Sequence, residues 1–253
     1  MSVHSELQGH VRRLTLDRPE RRNALDGATV SALRAELAAA AADSTVRLIQ
    51  LRAEGKSWCA GADLAAIAAH PGGRRGVILD FAALVADMVE SPVPVMAVVD
   101  GAVIGGGVGL LCAADLVVMG RSASVSLPEA SVGLWPMMVG ALLPRVMSPR
   151  KAMELALTGR RLDPEECLEF GLATRVFVDV EAEAEALVAS VVKQAPGAVR
   201  AGRRAWLEVG NGGPAGGLRA QLLRLAEALD VLADAPEATE GITAFFEKRP
   251  PVW

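Results

Sequence analysis

Apolar and polar positions alternate between strand-like and helix-like spacing along the first two thirds of the chain. VRRLTLDRP (11–19) reads as a strand ending at Pro19. ALDGATVSALRAELAAAAAD (24–43) sets apolar residues at helical spacing among strong helix formers. VRLIQLRAEG (46–55) predicts a β-rich strand that stops at Gly55, and a short helix is expected after Asp63, with a longer one from Arg75 to Glu90. PVPVMAVVDG (92–101) is almost wholly apolar and bounded by prolines and Gly101, the pattern of a buried strand. A glycine-rich segment then enters GVGLLCAAD, which has the small residues of a tightly packed helix; LVVMG (116–120), SVSLPE (124–129) and TRVFVD (174–179) predict three more short strands. From Val180 the pattern changes to amphipathic helices, EAEAEALVASVVKQA, AVRAGRRAWLEVG and LRAQLLRLAEALDVLADA, with NGGPAGG (211–217) as a loop. These patterns predict an α/β core over residues 1–180 and a helical region over 181–253. Short strands followed by helices point to repeated turns of an α/β coil, not to one doubly wound sheet.

Composition narrows the chemistry. Half of the 253 residues are hydrophobic and there is no Tyr, so aliphatic side chains and alanine must fill the core. A net charge of −4 disfavours nucleic acid and anionic membrane surfaces as partners. The first ten residues lack a basic segment followed by an apolar one, and the longest apolar region, 92–120, is broken by Pro, Asp and Gly; a cytoplasmic protein is expected. Cys59, Cys112 and Cys167 are odd in number and far apart, which suits buried thiols better than disulfides or a zinc site. His4 and His10 lie at the N-terminus, where fraying or a first strand is expected, and His70 precedes Pro71-Gly72-Gly73 in a loop pattern. No histidine is placed for a Ser–His–acid hydrolase, and no G-x-S-x-G elbow occurs. Read from Gly105, a dinucleotide fingerprint fails at Leu110, and no phosphate-binding G-K-[ST] follows. Backbone N–H groups as electrophilic stabilisers and carboxylates as bases remain.

Two segments have the form of oxyanion-binding loops. GKSWCAGADL (55–64) and VDGAVIGGGVGL (99–110) each run from a strand end through small residues to an expected helix start. Small residues let a backbone approach a ligand closely, and N–H groups at a helix start carry partial positive charge. Two such donors aimed at one oxygen stabilise a developing negative charge, each worth about 3 kcal/mol.

In order along the chain, DRPERRNAL (17–25), WCAGADL (58–64), GAVIGGGVGL (101–110), CAADLVVMG (112–120), SLPEASVGLWP (126–136), LTGRRLDPEECLEFGLATRV (157–176) and EGITAFFEKR (240–249) resemble the crotonase, or enoyl-CoA hydratase/isomerase, family. The resemblance covers nearly the whole chain. It implies a coil of ββα turns followed by a helical region that supports trimers or dimers of trimers. It implies an acyl-CoA substrate, with coenzyme A arriving as part of the substrate and no separate cofactor or metal. The thioester oxygen is then expected between the N–H groups of Ala62 and Gly106. Arg22, Ala24, Lys56, Ala60 and Gly105 fall at positions near the CoA thioester, and Lys248 at one that reaches CoA phosphates, including those of a neighbouring subunit. Ala65 stands where relatives often carry a basic residue.

The carboxylates bear on the reaction. Two-base hydratases carry one Glu shortly after the triple glycine and a second about twenty positions on. Aligned on Gly105–Gly107, the first falls at Gly109 and the second at Glu129. Glu129 is thus the one carboxylate at a catalytic position of the family, and Gly109 reads as a missing acid rather than a structural requirement. GLWPMM (133–138) places Met137 where hydratases keep a glycine beside the catalytic water, with Trp135 and Met138 nearby; these side chains are expected to fill that space and exclude water. One carboxylate in a dry site favours moving a double bond from the 3- to the 2-position of an enoyl-CoA over hydration. A 2-enoyl-CoA hydratase, an acyl-CoA decarboxylase and a non-catalytic CoA-binding protein stay open, as does an acid from Asp63 or residues 65–80 replacing the missing one.

Overall fold

A computed structural model describes residues 2–63, 73–132, 134–210 and 235–252. The expected helix after Asp63, His70, the loop 211–217 and most of the helix expected at 218–235 lie outside the described residues.

Two sheets share the strands. The larger has the order β1 (Val3–Gln8), β2 (Val11–Leu16), β3 (Leu48–Ala53), β5 (Val95–Val99), β7 (Leu116–Gly120), β9 (Arg175–Phe177). The smaller has the order β4 (Ser57–Cys59), β6 (Ala102–Ile104), β8 (Ser124–Ser126). Apart from the β1–β2 hairpin every pairing is parallel. Successive turns therefore give one strand to each sheet: β3 then β4 before helix α2 (Gly73–Glu90), β5 then β6 before α3 (Gly106–Ala113), and β7 then β8 before the next helices. This is the α/β coil that the patterning implied, in the ββα form that the resemblance implied.

Period-two alternation divides the strands between two cores. Leu14, Leu16, Ile49, Leu51, Val95, Ala97, Val99, Val117 and Met119 join the main cluster with α1 (Gly27–Ala42), α2 and α3. Val11, Leu48, Met96, Val98 and Val118 face Val180, Ala184 and Val188 of α7 (Val180–Val192). A sheet covered on both faces explains why β5 is apolar at every position. The change of pattern at Val180 is thus one of element type, while the packing continues across it. Asp26 caps α1 by accepting from the Thr29 N–H at 2.8 Å and its hydroxyl at 2.7 Å.

The patterning missed β4 and β6, which are three residues each, and α4 (Met137–Val146), α5 (Pro149–Thr158) and α6 (Pro164–Phe170). Of these, α6 carried a legible signal: Asp163 and Glu166 form a reciprocal capping box, Pro164 opens the helix and Gly171 closes it in the left-handed conformation. Beyond α7 come α8 (Pro196–Gly210) and a last helix, Pro236–Glu247. Among the described residues no helix is long and apolar enough to cross a membrane.

Candidate active site

The small sheet builds the site. Its three strands are parallel, so the segments that follow β4, β6 and β8 leave at the same end, where ligands gather on parallel sheets. Those segments are Ala60–Asp63, Gly105 with the start of α3, and Leu127–Glu129. Because β6 is central, the start of α3 lies between the other two.

Residues 60–63 are fixed from the side by 22–25. The Ala60 N–H donates to the Arg22 carbonyl at 3.0 Å, Leu25 N–H to Gly61 at 2.7 Å, and Asp63 N–H to Leu25 at 2.9 Å. Leu25 and Ala62 thereby form a parallel bridge. In such a bridge the flanking residues bond the partner, so the N–H and C=O of Ala62 itself point the opposite way. Ala62 is exposed while Gly61 and Asp63 are buried. Gly106 is the first residue of α3, where an N–H has no acceptor within its own helix. It is half-buried between the buried Gly105 and Gly107.

Glycines permit the close approach. Gly61 has φ +80°, and a Cβ there would lie 2.9 Å from the Gly106 nitrogen and 2.9 Å from the Ile104 carbonyl oxygen. Gly105 adopts φ 57°, ψ −124°, which L side chains rarely reach, and a Cβ on it would stand 3.3 Å from Glu129 Oε1. Gly107 passes so near β4 that a Cβ would be 2.7 Å from the Cys59 carbonyl oxygen. The three segments are therefore in contact: Gly61 against Gly106 on one side, Glu129 against Gly105 on another.

Glu129 opens a short 3-10 helix, Glu129–Val132, after Pro128. Its Oε2 is buried without a hydrogen-bond partner. Burial pushes its carboxyl above the ordinary range, partly opposed by a backbone hydrogen bond. A carboxylate with one unpartnered oxygen, set against the glycine turn that leads into α3, is suited to take and return a proton.

Asp63 is tied into an ion pair. Its buried carboxylate lies 3.3 Å from the Arg18 guanidinium, which also pairs with Asp26 at 3.0 Å and donates to the Ala24 carbonyl at 2.7 Å. Asp80, the one acid of residues 65–80, is half-buried on α2.

The space at Gly109 belongs to Phe81. A Cβ on Gly109 would lie 3.0 Å from Phe81 Cζ and 3.5 Å from Val139 Cγ2. This corrects the reading of Gly109 as merely a missing acid: it is also the residue that fits between α2 and α4. At residues 135–138, Met137 is 72% exposed, Trp135 is 37% exposed and Met138 is half-buried against the main core. The aromatic ring packed against Gly106 and Gly109 comes instead from FAALVADMVE, a helical stretch that carried no motif.

Of the expected CoA-side positions, Ala24 is buried within the segment that bonds residues 60–63, with Arg22 exposed beside it and Ala60 half-buried opposite. Lys56 is exposed at the start of β4, and its carbonyl accepts from the Ala102 N–H of β6 at 3.4 Å. Lys248 stands apart: it is exposed, has φ 53°, and ends a helix that is tied to α8 through the Glu237 carboxylate accepting from the Gly197 N–H at 2.7 Å. Sequence reasoning missed Asn23, whose amide lies under the bonded segment. It donates to the Glu54 and Ser57 carbonyls at 2.7 Å each and accepts from the Arg18 N–H at 2.7 Å. Its position between Arg22 and Ala24 was the only signal.

Comparison with known proteins bears on the same residues. The model of the enoyl-CoA hydratase/isomerase family matches residues 6–253. A Thermus thermophilus protein named "Putative enoyl-CoA hydratase" is 35% identical over 96% of this chain and 97% of its own length. A carnitinyl-CoA dehydratase of Salmonella paratyphi A is 33% identical over 100% of this chain and 98% of its own. The crystal structure of an enoyl-CoA hydratase from Mycobacterium smegmatis superposes with a TM-score of 0.94 at 28% identity, covering 100% of this chain and 99% of that one. By its sequence and its fold, the chain belongs to the enoyl-CoA hydratase/isomerase family.

Proposed function

We propose that the protein moves the double bond of a 3-enoyl-CoA thioester to the 2-position, with Glu129 as its single base. The observation that carries this reading is the contrast between two positions. Glu129 presents a carboxylate with an unpartnered oxygen beside Gly105, whereas Gly109 has no side chain and Phe81 fills the space next to it. The Glu129 carboxylate removes a proton from C2 of the thioester. The electrons move into a dienolate whose oxygen accepts from the Ala62 and Gly106 N–H groups. The Glu129 carboxylic acid then returns the proton to C4, leaving the double bond between C2 and C3. One group performs both transfers, so no water is activated. Arg22 and Lys56 offer cationic side chains to CoA phosphates, Lys248 offers one to those of a neighbouring subunit, and Ala24, Ala60 and Gly105 line the approach. Met137 stands by resemblance where hydratases keep a glycine beside the catalytic water, with Trp135 nearby; both are exposed, at the start of α4 and just before it.

A trimer or a dimer of trimers is part of the same proposal. Trp206 of α8 is 75% exposed, and Met153 and Leu157 present apolar side chains one turn apart on α5. These are the kinds of surface that a second subunit covers.

The relatives' names support a second reading, addition or elimination of water. Purified protein is given 3-enoyl-CoA and 2-enoyl-CoA separately, and the products are resolved by chromatography and mass. Conversion of 3-enoyl- to 2-enoyl-CoA without a hydrated product is expected. Faster formation of 3-hydroxyacyl-CoA from 2-enoyl-CoA would overturn the proposal in favour of the hydratase.

A further inference from the structure

Phe81 is held where it is by its own helix. Phe81, Leu84, Val85 and Met88 fall on one face of α2 at helical spacing, and all four are buried in the main core. The ring is buried along with that face. Its tip is aimed at α3: a Cβ on Gly106 would meet Phe81 Cζ at 3.4 Å and Cε2 at 3.5 Å, and a Cβ on Gly109 would meet Cζ at 3.0 Å. One ring thus lies over the side-chain positions of Gly106, where the proposed oxyanion donor sits, and of Gly109, one turn on in the same helix. Glu129 approaches that turn at Gly105.

We propose that Phe81 is a specificity-determining residue of the thioester site. Its ring takes the place beside the oxyanion donors that a second acid, a water or a branch on the acyl chain would need. It thereby restricts the reaction to what Glu129 does alone. The inference rests on the reading of the site as an acyl-thioester site, and adds to it the residue that enforces the single-base chemistry. An aromatic edge offers water no hydrogen-bond partner, and a fixed one leaves no room for it.

Wild type, Phe81→Ala and Phe81→Val are compared, with circular dichroism to verify the fold. Each is given 3-enoyl-CoA and 2-enoyl-CoA, and the ratio of hydration to isomerisation is measured. Removing the ring is expected to raise that ratio about tenfold in Phe81→Ala and by a smaller factor in Phe81→Val, the scale on which a pocket distinguishes small groups. An unchanged ratio in a folded, active variant overturns the proposal. Phe81→Val carries the same expectation if Phe81→Ala does not fold. A wild type that isomerises nothing overturns the functional reading instead. Phe81 is then judged by calorimetric binding of straight-chain and 2-methyl-branched saturated acyl-CoA. The variants are expected to lose about tenfold of the wild type's discrimination against the branch, and equal discrimination overturns the proposal.

Discussion

Replacing Asn23 by Ala tests whether the 22–25 segment is what holds the Ala62 donor in place. Asn23 is 1% exposed and its side chain makes three hydrogen bonds to backbone groups. Truncation leaves the Arg18 N–H and the Glu54 and Ser57 carbonyls without that partner. The Ser57 contact is wholly buried and the other two partly so. Taking about 2 kcal/mol for the first and about 1 for each of the others gives roughly 4 kcal/mol. The backbone at Asn23 is left-handed, φ 53°, a conformation Asn tolerates better than Ala, which adds up to about 1 kcal/mol. A total of roughly 4–5 kcal/mol is a large fraction of an ordinary domain's stability. Urea unfolding followed by circular dichroism reads it directly, and the thermal midpoint should fall by about 10 °C. Asn23→Asp should lose at least as much, because an oxygen would then face the Glu54 and Ser57 carbonyls. Surviving enzyme should show a lower kcat with a smaller change in KM, since in the proposed mechanism the Ala62 N–H binds the developing oxyanion. A loss below about 1 kcal/mol in Asn23→Ala would refute the reasoning.

Gly107→Ala places a Cβ 2.7 Å from the Cys59 carbonyl oxygen, a backbone atom that cannot step aside; a loss of about 3 kcal/mol is expected from thermal unfolding. Gly109→Ala sets the gain in helix propensity, about 1 kcal/mol, against the closer Phe81 ring; a net loss of about 1 kcal/mol is expected, vanishing in the Phe81→Leu background. The acid limb of the kcat/KM profile should lie above the ordinary glutamate value of about 4.3, because burial raises the Glu129 carboxyl and only its ionised form accepts a proton. The same shift has a stability consequence. A folded-state pKa above the unfolded one means that the fold binds the proton more tightly, so this contribution is fully present below about pH 4.3 and is lost as pH rises through the folded value. Glu129→Gln should therefore unfold at the same or a higher temperature than wild type at neutral pH, with the difference shrinking towards pH 4.

The long elements were legible because each buries a continuous face. Val95–Val99 is apolar throughout since helices cover both sides of its sheet, and Asp26 and Thr29 mark the start of α1 in the sequence itself. The strands β4 and β6 were not, because each follows closely on a longer strand and runs into small residues that read as loop, yet the parallel pairing of β6 with both β4 and β8 sets the geometry of the site. The two small-residue loops that meet at the site could be recognised in the sequence. Which N–H groups are directed outward could not, because that follows from the Leu25–Ala62 bridge, a contact between residues 37 positions apart. Phe81 was invisible for the same reason. Nothing in FAALVADMVE distinguishes a core phenylalanine from one set against Gly109, and only the packing of α2 on α3 brings them together. Met137 shows the reverse: a position matched by resemblance proved to be exposed at a helix start.

The central claim is that one carboxylate, Glu129, carries the proton in both directions. Its most direct test is the turnover of 3-enoyl-CoA by Glu129→Gln, with thioester binding measured on the same sample. The account predicts a fall in kcat of about a thousandfold or more, with binding held within about threefold because both N–H donors are backbone groups. A variant that binds the thioester and retains kcat within about tenfold of wild type would contradict it.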